Sequence, residues 1–225
     1  MNTATPVPQT ATPVLATGTR SPLLWVPTGY FTMALGYTML CSVTAIMFKN
    51  LGMDNGQAAA YSSMLILAYT IKPLFAPIVE MYRTKKFFVL CTQCLIGLGF
   101  FGAALAMSLP NYMVVLLPLF WAMSFIGATQ DIASDGVYVT SLDSRAQSLY
   151  CGVQSLSWNI GPIVASGALV YLSGRLHTEV FHHDARAFGP DWMQAWQVIF
   201  AIVGAITVVM ALWHARVMPD GARAD

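Results

Sequence analysis

Polar residues in this chain are gathered into short clusters separated by long apolar runs. The runs cover about residues 22–48, 56–79, 87–108, 112–138, 148–172 and 195–215. A helix needs about 20 apolar residues to cross roughly 30 Å of hydrocarbon, and each run meets or approaches that length. Strand-like alternation is absent, and backbone groups in hydrocarbon must bond within their own segment, so the runs predict six transmembrane helices. The clusters at 49–55, 80–86, 141–147 and 173–194 predict loops, the first with Gly52 and its flanking asparagines as turn formers. Residues 1–21 are rich in Thr, Pro and Ala without periodicity and predict a disordered tail. The plan is therefore a tail over 1–21, a bundle over 22–215 and a short polar end over 216–225.

Composition agrees with this pattern. The chain is 56% hydrophobic and 9% charged, with mean hydropathy +0.61, whereas a soluble domain carries about 25% charged residues. Net charge is +1, which gives no reason to expect a nucleic-acid partner. Residues 1–19 hold neither a basic residue nor an apolar core, so no secretory signal is expected. Cys41, Cys91, Cys94 and Cys151 all fall in apolar runs. Cys91 and Cys94 have CxxC spacing but no second ligand pair, so all four are read as packing residues. Gly97, Gly99, Gly102 and Ala103 allow close helix approach, and Trp192 and Trp196 suit a membrane interface. Arg20, Arg83, Lys85, Lys86, Arg145, Arg216 and Arg223 fall on one side of the six-span plan. Lys49, Arg175 and Arg186 fall on the other, the last two among Glu179, Asp184 and Asp191. The positive-inside rule then predicts both termini in the cytoplasm.

Candidate chemistry centres on residues 128–136, Ala-Thr-Gln-Asp-Ile-Ala-Ser-Asp-Gly. Asp131 and Asp135 are four apart and share a helix face. A charge at the bilayer centre costs roughly 2.5–3.5 kcal/mol, so that face is expected to meet protein or water and not lipid. Lys72 lies roughly 12 Å, and Asp131 roughly 15 Å, from the cytoplasmic ends of their helices. The two are nearly level, and pairing removes the cost of two lone buried ions. Such a pair can line a transport pathway, or it can lock two helices together or hold a gate shut. Gln130 can contact a solute or bond a neighbouring helix. Pro73 cannot donate to Tyr69, nor Pro77 to Pro73, so this helix is expected to be distorted twice. Such breaks free carbonyls for ions or substrate, although a tolerated kink is equally compatible. Gly161-Pro162 predicts a bend in the fifth span, where Ser155, Ser157 and Asn159 add polarity. His177, His182, His183 and Asp184 lack companions at diagnostic spacing, so a solvated loop is expected there and no metal site. A phosphate-binding glycine loop, HExxH and GxSxG are all missing from the sequence, so no cofactor and no enzyme chemistry are expected.

Gln130-Asp131-Ile132-Ala133-Ser134-Asp135-Gly136 resembles the QDIAxDG signature in the fourth helix of AmpG-like muropeptide permeases. The signature is shared with acetyl-CoA transporters of the same major facilitator superfamily. Residues 71–80 look like the KxxxxPxxD end of the family's second helix, with Glu80 where Asp is usual and Ala76 where Gly is usual. Arg83-Thr84-Lys85-Lys86 is similar to the superfamily's cytoplasmic motif between helices two and three. The resemblance spans most of 23–216. It implies a six-helix, 3+3 inverted-repeat bundle in a bacterial inner membrane, corresponding to one half of a transporter. It also implies proton-driven import of a muropeptide or sugar-like solute. Lys72, Gln130, Asp131, Asp135 and Asn159 would line the solute and proton pathway, and Glu80, Arg83, Lys85 and Lys86 would form a cytoplasmic gating motif.

Transporters of this superfamily consist of two six-helix halves, whereas this chain holds one. Its partners are then the bilayer, a small solute, protons, and a second half supplied by the same gene, a separate chain or a second copy. Residues 216–225 resemble the start of the central cytoplasmic linker, which favours a truncated frame. The competing expectation is a transport-incompetent membrane scaffold or regulator.

Overall fold

A computed structural model describes residues 20–81 and 83–221. All but two of the residues of the expected tail, the last four residues, and the side chain of Glu80 lie outside the described set. The described chain folds into helices α1 (Pro22–Asn50), α2 (Asn55–Thr70), α3 (Lys72–Met81), α4 (Lys85–Ala106), α5 (Tyr112–Ser141), α6 (Ser144–Val180) and α7 (Pro190–Val217). Loop residues start several of them. The Asp54 carboxylate accepts from the backbone N–H groups of Gly56 and Gln57, the Thr84 hydroxyl from Phe87, and the Asp143 carboxylate from Ala146. Each satisfies donors that an uncapped helix would leave exposed.

Among the described residues five helices, α1 and α4 to α7, are each long and apolar enough to cross a membrane. The expected span over 56–79 is divided into helices of 16 and 10 residues that meet at Ile71. Pro73 has no N–H for the Tyr69 carbonyl and disfavours helical geometry at Lys72. The break follows: Ile71 sits at φ −90°, ψ 3°, and its carbonyl accepts from Leu74 in a tightened turn. Pro77, by contrast, sits within α3 without dividing it.

The structure corrects the loop expected over 173–194. α6 continues to Val180, widening into π-helical turns at Ile163–Leu169 and Leu176–Val180. Hydropathy falls after Leu172, but Arg175 pairs with Glu179 at 2.5 Å and with the Tyr171 hydroxyl at 3.0 Å. These i,i+4 contacts lie on the outer face, while Ser173 and His177 are buried on the inner one, so the helix continues past the apolar run.

Packing places α5 at the centre, against α1, α2, α3 and α4, while α4 also packs on α7 and α1 on α6. Close approach uses glycine where two backbones meet. A Cβ on Gly97 would lie 3.1 Å from the Gly204 carbonyl oxygen, and a Cβ on Gly204 2.9 Å from that of Gly97. Gly161 similarly abuts the backbone of Ala34 and Leu35, which draws α6 onto α1. One core cluster is centred on Phe100, Phe120, Trp196 and Phe200, with the Phe120 and Phe200 rings 5.5 Å apart and edge-on. A second, around Trp25, Tyr30, Val89, Ala133 and Val137, underlies the stretch that carries the carboxylates. Leu74, Leu98, Leu105, Val114 and Leu149 are exposed, as expected of surfaces that meet hydrocarbon.

Candidate functional site

Asp131 and Asp135 project from successive turns of α5, and each finds a partner on a different helix. The break at Ile71 makes Lys72 the first residue of α3 and points its chain towards α5. Lys72 Nζ lies 3.1 Å from Asp131 Oδ2, with side-chain exposures of 37% and 11%. Asp131 is thus enclosed, while Lys72 retains access to open space. One turn on, the Tyr30 hydroxyl donates to Asp135 Oδ1 at 2.7 Å. The two carboxylates therefore join α5 to α3 and to α1.

These groups border a cavity of about 510 Å³, within the size range of small-molecule sites. Tyr30, Lys72, Asp131 and Asp135 form one wall, and α6 supplies Cys151, Gln154, Ser155, Trp158 and Asn159. The Trp158 ring stands 6.1 Å from Tyr37, which meets Tyr69 edge-on at 4.8 Å. The Asn159 amide donates to the Ser155 carbonyl one turn earlier, which orients it along its own helix. The wall combines a cation, two carboxylates, two amides and an indole. That set can bond hydroxyl and amide groups while an apolar ring face stacks on Trp158.

Lys72, Asp131, Asp135 and Asn159 thus share one cavity. Gln130 does not join them. It is 2% exposed, lies outside the cavity lining, and its Nε2 has no hydrogen-bond partner. One residue step rotates it by about 100° from Asp131 and into the helix interface. Of the residues expected as a gating motif, Arg83, Lys85 and Lys86 also lie outside this cavity. Lys85 is 5% exposed and lays its stem on Gly136, Arg83 places its guanidinium 5.4 Å from the Phe87 ring centre, and Lys86 pairs with Asp220 at 3.4 Å.

The expectation of a solvated loop is corrected for His177, while His182 and Asp184 are exposed. His177 is fully buried, stacked on Trp192 at 3.9 Å and 9°, with Nε2 3.0 Å from the Asp184 carbonyl oxygen. It anchors the 181–189 segment instead of sitting in a solvated loop. Cys151, read as a packing residue, faces the cavity. The sequence reading missed Tyr30, Gln154 and Trp158. The last two had a signal: Cys151, Gln154, Ser155, Trp158 and Asn159 repeat at i, i+3, i+4, i+7 and i+8, a single helical stripe. Tyr30 had none, being one aromatic residue in an apolar run.

The sequence matches the Major Facilitator Superfamily over residues 28–224. It is 22% identical over 186 residues to "Putative transporter AmpG 4" of Rickettsia felis, covering 77% of this chain and 40% of the relative. The protein of the same name in Rickettsia conorii is 22% identical over 187 residues, covering 78% and 40%. The chain therefore spans about 40% of the length of these curated relatives. No solved structure matches it significantly. By its match over nearly its whole length, the chain belongs to the Major Facilitator Superfamily.

Proposed function

We propose that the chain forms the amino-terminal half of a secondary active permease of the AmpG-like group. The observation that carries this reading is the Lys72–Asp131 pair at the edge of a cavity that Asp135, Trp158 and Asn159 also line. Ionisable groups in a membrane bundle are costly and mark solute or ion pathways. Here a proton on Asp131 would remove its attraction for Lys72 and loosen α3 from α5. A solute that favours one of the two arrangements then shifts the equilibrium between them. Lys72, Asp131 and Asp135 serve proton coupling in this reading, and Trp158, Gln154 and Asn159 receive a muropeptide or sugar-like solute.

In the same reading α2 and α3 together form one broken span, giving six in a 3+3 arrangement, and the 80–86 loop acts as a cytoplasmic gate. The location is a bacterial inner membrane, with the end bearing Arg20, Arg83, Lys85, Lys86 and Arg216 in the cytoplasm. The wall formed by α1, α3, α5 and α6 becomes a closed pathway against a second six-helix half, from the same gene, another chain or a second copy.

Uptake into proteoliposomes tests the proposal. With the chain and a second half reconstituted, an outside-acid gradient should drive accumulation of a radiolabelled muropeptide, and a protonophore should abolish it. No uptake in any combination would overturn the permease reading in favour of a scaffold or regulatory half.

A further inference from the structure

A pocket of about 270 Å³ lies at the end of the bundle where α7 finishes and α4 begins, apart from the cavity above. Arg20, Lys86, Arg216, Val217, Met218, Pro219 and Asp220 line it. It is a built feature. The Lys86 N–H donates to the Asp220 carbonyl at 3.1 Å, which folds 218–220 over the start of α4. Trp213 Nε1 donates to the Leu24 carbonyl at 2.9 Å, which holds the start of α1 against the end of α7. Three cations therefore converge from three separate parts of the chain. Among the described residues Asp220 pairs with one of them, at 3.4 Å and with 79% of its side chain exposed, and Arg216 also donates to the Leu212 carbonyl at 3.2 Å. The described lining thus carries three cations and one carboxylate.

Its surroundings specify the occupant. Leu23, Leu24, Leu212 and Trp213 are exposed beside the basic residues, and Phe87 follows Lys86 directly. Cations over an exposed apolar rim, with an indole at the boundary, match the headgroup level of a bilayer. A free anion has no use for that rim, whereas a lipid uses both parts. We propose that this pocket binds the phosphate of an anionic phospholipid, whose acyl chains descend over Leu23, Leu24 and Leu212. The site rests on the membrane placement of α4 and α7 and is independent of any solute moved through the cavity.

The test uses the full chain in dodecyl maltoside micelles, with lipid retention followed by native mass spectrometry. Dioleoyl phosphatidylglycerol, dioleoyl phosphatidylcholine and inorganic phosphate are titrated separately. One phosphatidylglycerol should be retained saturably and in preference to phosphatidylcholine. Arg20→Gln/Arg216→Gln should weaken it roughly 30-fold, as expected for two surface cations. Asp220→Asn should tighten it roughly fivefold, a gain that misfolding cannot produce. Arg175→Gln, in the distal part of α6, should leave it unchanged. Equal retention of both lipids, or no change in either pocket variant, would overturn the site. Inorganic phosphate that displaces phosphatidylglycerol at equal concentration would assign the pocket to a free anion and overturn the lipid reading.

Discussion

The stem of Lys85 lies across Gly136, so the start of α4 rests on the α5 stretch that carries both carboxylates. A Cβ at position 136 would stand 3.2 Å from Lys85 Cδ and 3.3 Å from its Cγ. A flexible chain can yield a few tenths of an ångström but not a whole leucine. Gly136→Ala should therefore be nearly neutral. Gly136→Leu should cost about 1–3 kcal/mol by overpacking. Thermal melting in detergent reads the loss, and Lys85→Ala in the same chain should restore part of it.

Tyr30 and Asp135 form the link between α1 and α5. A hydrogen bond to a charged group contributes about 1.5–3 kcal/mol, and Tyr30 is buried. Tyr30→Phe and Asp135→Asn should each destabilise the protein, and the double variant should cost less than the sum of the two. A cycle built from melting of all four proteins measures the coupling. Strict additivity would mean that the bond contributes nothing.

The stack of His177 on Trp192 closes the end of the bundle away from the basic loop. His177→Ala removes the ring that holds Trp192 and the bond to the Asp184 carbonyl. Residues 181–189 should then be cut by a broad protease at least several-fold faster, while His177→Phe, which keeps the stack, should show an intermediate rate. Unchanged cleavage in His177→Ala would show that the segment is held by other contacts.

What the sequence revealed, and what it hid, follows from the range of each interaction. The apolar runs carry most of the helices because lipid and core both demand apolar side chains along the whole length. The shared face of Asp131 and Asp135 is local geometry, and the depth of Lys72 follows from counting residues back from the basic loop. Pro73 announced a distortion, but whether the chain kinks or divides depends on what packs against Ile71. Gln130 could be assigned to the pathway or to a helix interface from its sequence position alone, and its rotation about the helix from Asp131 puts it in the interface. The end of α6 lies beyond the apolar run because hydropathy registers neither the burial of Ser173 and His177 nor the Arg175–Glu179 pair. His177 looked solvated because its partner, Trp192, lies fifteen residues on and had been assigned to the interface. Tyr30 was invisible for the same reason: its partner is 105 residues away.

The most direct test concerns Lys72 and Asp131. Under the proposed function, uptake of a labelled muropeptide by proteoliposomes holding the chain and a second half should fall at least tenfold in Lys72→Asp and in Asp131→Lys. Each leaves two like charges facing one another at the cavity. The double variant Lys72→Asp/Asp131→Lys restores an opposite-charge pair and should recover a substantial part of that uptake. Full activity in either single variant, or a double variant no better than the worse of the two, would contradict a pathway built on this pair.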